Sequence, residues 1–126
     1  MLARSFLSAA ELGLSEAQRY ALILTLNAME RGEIRHVEDY VRMPCGSDVK
    51  FSGHFNMADW IQCSDCGTVA CIGGTAELLG GGPLFSGGLT PGLMDLFYSG
   101  NPHESVEEAA VALSTYLTTG SPPEDW

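Results

Sequence analysis

Between Asp65 and Glu77 the chain carries no charge: "CGTVACIGGTA" is followed by Glu77 and then by Leu78-Leu79. Such a stretch has no polar face to offer water, so it belongs inside the fold. Read at helical spacing it is apolar almost all round, and the expectation is a buried central helix over residues 66–79. Ala70, Gly73, Gly74 and Ala76 are small. Glycine costs about 1 kcal/mol against alanine inside a helix, so the Gly73-Gly74 pair predicts close approach of another element.

The segments around it carry local helix signals. Ser15-Glu16-Ala17-Gln18 is a capping box. Ala17, Ala21, Leu24 and Ala28 follow at helical spacing, widened by Leu22, Leu26 and Met29, with Gly32 as the stop. Ser8-Ala9-Ala10-Glu11 is a weaker cap for a short turn of helix. Ile34, Val37, Tyr40 and Val41 fit a polar-faced helix that Pro44 ends, and Val49-Lys50-Phe51 reads as a short strand. Phe55, Met57, Trp60 and Ile61 are core anchors, with Asn56 as the cap of a helical turn reaching Trp60. The glycine-rich stretch over residues 80–90 reads as a mobile connector. Thr90 with Pro91 opens the next helix, which Leu93, Met94, Leu96 and Phe97 make apolar on one side. Ser105-Val106-Glu107-Glu108 is another capping box, and a stripe from Val106 to Leu117 ends at Gly120. Trp126 is placed to dock back. The expected fold is mostly α: one compact domain over 1–126, with four to five helices around the buried one and at most one short hairpin. Residues 1–14 and 121–126 are expected at its periphery.

Six Lys or Arg face sixteen Asp or Glu, a net charge of −10. The six bases, Arg4, Arg19, Arg31, Arg35, Arg42 and Lys50, form no cluster. Nucleic acid and anionic lipid are repelled by such a chain. No apolar run approaches the ~18 residues of a membrane span. The N-terminal stretch starts like a signal peptide, but Glu11 interrupts its apolar region. The expectation is a cytoplasmic protein whose four cysteines are thiols or metal ligands.

Three chemistries are available to those cysteines. If Cys66 began the helix, the backbone N–H groups and the macrodipole would favour its thiolate, and the Gly67 and Thr68 amides could face an oxyanion. The base would be His54, with Asp59 near in sequence, or His103, with Glu104 beside it. Asp65 would oppose this by raising the thiol pKa. A nucleophile without an evident base is an incomplete set, and a packed helix-start cysteine is the plainer reading. Cys63-x2-Cys66 is half of a zinc pattern, which Cys45 as third ligand and His54 or Cys71 as fourth would complete. The same pair matches a dithiol motif but lacks a surrounding βαβ pattern. Cys71 reads as core, since free cysteine is among the most buried side chains.

Phe55, Met57, Trp60, Cys66, Gly67, Thr68, Cys71 and Gly74 spell F-x-M-x-x-W followed by C-G-T-x-x-C-x-x-G. The pattern resembles a group of small uncharacterised bacterial and phage proteins. Leu96-Phe97, the Glu-Ala helix and Thr119-Gly120 extend the resemblance over roughly residues 50–120. It implies kinship and no activity. Cys45 and Cys63 fall outside its recurring positions, which weakens a zinc site built on Cys63.

The leading expectation is therefore a small acidic, cytoplasmic binding or regulatory protein that works through protein contacts, alone or as a homo-oligomer. It would have no nucleic-acid or membrane partner, no cofactor and no committed catalytic or metal residues. The alternatives are a thiol enzyme on Cys66 with His54 or His103, and a zinc module on Cys45, Cys63, Cys66 and His54.

Overall fold

Among the described residues, five helices carry most of the regular structure. The computed structural model describes residues 5–46, 49–65, 67–99, 101 and 103–126. Helix α1 (Ala9–Leu12) and helix α2 (Glu16–Glu30) each open on a complete capping box, Ser8 with Glu11 and Ser15 with Gln18. Strands β1 (Arg35–His36), β2 (Arg42–Met43), β3 (His54–Phe55), β4 (Ile61–Ser64) and β5 (Gly67–Ala70) follow. Helix α3 (Ile72–Gly80) comes directly after β5. Helix α4 (Pro91–Phe97) is capped by Thr90 with Pro91 in its first turn, and helix α5 (Val106–Thr119) by Ser105 with Glu108. Gly120 closes α5 in the left-handed conformation.

The five strands form one mixed sheet in the order β1-β3-β5-β4-β2. β1, β3 and β5 run parallel, while β4 and β2 are antiparallel to their neighbours. The chain is thus an α/β fold, and the expected mostly helical architecture is overturned by this sheet. One helix of the expectation is replaced by a strand, and the central one loses its first part to another. Residues 34–41 hold β1, which pairs with β3 through Arg35↔His54 and His36↔Phe55. The strand expected at 49–51 lies instead at His54–Phe55.

The central apolar stretch divides in two. Gly67–Ala70 is strand β5, and the helix starts only at Ile72 with Cys71 as its N-cap. Thr68 and Val69 are β-branched and suit the pleat. β5 is paired on both sides, so its buried Val69 and Ala70 need no polar face. Asn56, buried, stitches this region. Its amide donates to Val37 O at 2.8 Å, its side-chain oxygen accepts from Ala58 N–H, and its backbone N–H reaches Ala70 O. It forms a tight side-chain-to-backbone turn in place of the expected helical turn.

One cluster of buried side chains joins the helices to the sheet. It contains Leu22 and Leu26 of α2, Ile72 and Ala76 of α3, Leu93 and Leu96 of α4, Leu113 and Leu117 of α5, and Phe55 of β3. Trp126 docks onto this cluster and its indole N–H donates to Leu96 O at 2.9 Å. No helix among the described residues is long and apolar enough to cross a membrane.

Candidate functional site

Trp60 organises the surface beside α3. Its carbonyl and ring lie against Gly74 and Gly73, where a Cβ would collide with them. This is the close approach that the glycine pair predicts. The indole N–H donates to Glu77 Oε1 at 2.7 Å. The other oxygen of Glu77 accepts the Phe85 backbone N–H at 3.1 Å. One carboxylate thereby ties Trp60 to the glycine-rich segment.

That segment is anchored, against the expectation of a mobile connector. Phe85 is buried and meets Trp60 and Phe97 edge-on, with ring centroids 6.3 and 5.1 Å away. Gln18 donates to Leu84 O at 2.7 Å. The result is an open cleft of about 450 Å³, walled by Trp60, Phe85, Leu89, Met94 and Tyr98, with Glu77 at its side. Met94 and Tyr98 stand four residues apart at the end of α4 and are strongly exposed for their type, 46% and 65%. Binding sites of this size combine apolar walls with a few fixed polar groups.

Comparison with family models, with curated proteins and with solved structures returns no match. The residues of the cleft have to speak for themselves.

The described members of the thiol and zinc candidates have other surroundings than the sequence expected. Cys66 lies outside the described residues, but the helix it was expected to head begins at Ile72. The N-cap sulfur is that of Cys71, which is 2% exposed and faces Trp60 O at 3.9 Å. Burial pushes its thiol up to about 11, so the helix end does not make it a thiolate. Cys45 and Cys63, expected as free thiols or zinc ligands, are joined in a disulfide. Their sulfurs are spent on that bond and do not stand as a thiolate pair. Among the described residues no group of three or more His, Cys, Asp or Glu is placed to hold a metal ion.

The histidines have other surroundings than the sequence proposed. His54 Nδ1 on β3 is buried with no hydrogen-bond partner among the described residues, near Ser52 and Gly67. Asp59 does not orient it. Asp59 is held by the Tyr40 hydroxyl and by Arg42, whose Nη2 lies 3.1 Å from Oδ2. Burial, reinforced by the Asp59 carboxylate, raises the Tyr40 hydroxyl to about 12. His103 Nδ1 meets Glu38 Oε1 at 2.6 Å, and Glu104 instead accepts from the Ser99 hydroxyl. The imidazole beside Glu38 holds that carboxyl below its usual range.

A larger hollow of about 630 Å³ lies between the end of α2, β1 and the start of α5. Glu30, Arg35 and Glu107 put charges of both signs on it, and none of the exposed aromatic residues lines it. The smaller cleft has the more selective chemistry. Sequence reasoning singled out Trp60 but grouped it with Phe55 and Met57, both of which are buried core. Phe85 and Tyr98 carried no pattern that would have joined them to it.

Proposed function

We propose that the protein is a non-catalytic binding protein whose partner, a peptide segment of another protein, docks in the cleft between Trp60, Phe85 and Tyr98. The observation that carries this reading is the exposure of Met94 and Tyr98 on the rim of a cleft already floored by packed aromatic rings. Aromatic side chains and methionine are enriched where proteins meet, because they bury large area at low entropic cost. The walls are held before any partner arrives, by the Glu77 bonds to Trp60 and Phe85. Preorganisation of this kind spares the partner the cost of ordering them.

Peptides selected from a random display library on the folded protein supply the test, with affinities measured by calorimetry. Met94→Ser and Tyr98→Ser change exposed side chains and leave the core alone. Each is expected to weaken the selected peptides by about 10-fold, as truncation of an interface anchor does. Peptides that bind equally well to both variants would move the docking surface elsewhere and remove this reading.

A further inference from the structure

We infer that the cleft is built for a cation, and that the partner segment presents an arginine to it; this rests on the cleft being the docking site. Glu77 is the deciding residue. Its two oxygens accept one N–H each, from Trp60 and from Phe85. A carboxylate offers about four acceptor positions, so about two remain. Neither bond brings a positive charge. Arg31–Glu33, Arg42–Asp59 and His103–Glu38 are ion pairs among the described residues, and none of these three involves Glu77. The carboxylate is half-buried, fixed in place by its two bonds, and has no counter-charge among the described residues.

An apolar partner closing over this cleft would strip water from Glu77 and give nothing back, which is costly for a carboxylate. A cationic partner would pair with it. The walls suit the same ligand. Trp60 and the exposed Tyr98 line the cleft beside the buried Phe85, and ring faces attract cations within about 6 Å of the centroid. A guanidinium satisfies both features at once, because it is planar, stacks on aromatic faces and donates in a fork that fits a carboxylate. An ammonium is a point charge and uses the carboxylate less completely. At longer range the net charge of −10 draws a basic segment toward the surface.

The simplest probe is N-acetyl-arginine methylamide, compared with its citrulline counterpart, which keeps the shape and loses the charge. Both are titrated into the folded protein while the Trp60 indole N–H is followed by NMR. The arginine amide is expected to shift that resonance with millimolar affinity and to bind about 10-fold more tightly than the citrulline amide. Glu77→Gln should erase the difference between the two. Because that variant also disturbs the bonds to Trp60 or Phe85, Tyr98→Ala serves as a second, exposed change, expected to weaken the arginine amide about 3-fold. Equal binding of the two amides at the cleft would overturn the cation inference and leave the docking site standing. Shifts confined to residues away from the cleft, or no shift with arginine, would also overturn it. If display-selected peptides ignored the rim substitutions as well, the docking site would fall with it.

Discussion

At Gly74 the chain has no room for a methyl group. A Cβ there would meet the Trp60 backbone carbonyl, which cannot swing aside as a flexible side chain can. Glycine to alanine inside a helix ordinarily gains up to ~1 kcal/mol. Here the overlap dominates, and Gly74→Ala is expected to lose about 2–4 kcal/mol in urea unfolding. Gly82→Ala, with open space around it, is the control and should stay within about 0.5 kcal/mol of the parent. Cys71 is legible at the same scale. With its thiol pushed up to about 11 by burial, Cys71 is held as the unreactive thiol at pH 8. Iodoacetamide followed by peptide mass spectrometry should leave Cys71 unmodified in the folded protein and alkylate it fully in urea. Modification of folded Cys71 on the timescale of an exposed thiol would contradict its burial. The sequence marks this cysteine correctly as core, because its neighbours are apolar on both sides. What it does not mark is that Cys71, and not Cys66, occupies the helix entrance.

The helices announced themselves and the sheet did not, for a physical reason. A cap is a local device: Ser15 with Gln18, Ser105 with Glu108 and Thr90 with Pro91 each act within four residues, so each could be read directly. The strands are two to four residues long, too short to show a period of two. Their partners come from elsewhere in the chain, and β5 is a strand because β3 and β4 flank it. The cleft was hidden for the same reason, since Trp60, Phe85 and Tyr98 come from three separate segments. Two measurements belong to elements. Ser105→Ala should remove the bond from the Glu108 backbone N–H to the Ser105 hydroxyl and cost about 1 kcal/mol. The Cys45–Cys63 disulfide closes a loop of sequence separation 18 and ties the region of edge strand β2 to β4. Chain entropy puts its contribution near 3 kcal/mol. The Cys45→Ser/Cys63→Ser variant should therefore unfold earlier in urea, with hydrogen exchange accelerated first where Arg42 pairs with Ser64.

For the whole molecule, pH sets opposing carboxylates against one another. Burial raises the pKa of Glu104, which makes its ionised form a cost that acidification relieves. Glu11 and Glu108 are lowered by the backbone N–H groups they cap, and Glu38 by His103. Their contributions are intact above the ordinary carboxylate range and are lost as pH falls through their lowered values. Stability should thus rise modestly as pH falls from neutral toward the ordinary carboxylate range, and fall again below that range. Thermal midpoints across this range check it, and Glu104→Gln should flatten the rise while leaving the acid limb in place. One consequence of the topology concerns the chain as it is made. The buried face of α2 packs on α3 and α5, which begin at Ile72 and Val106. Synthesis proceeds at about 5–20 residues per second. From the completion of α2 at Glu30 until α3 starts to appear at Ile72, the ribosome therefore spends roughly 2–8 s. For that interval Leu22, Leu26 and Met29 have neither α3 nor α5 to cover them. A chaperone that holds short apolar helices would meet this chain during that interval.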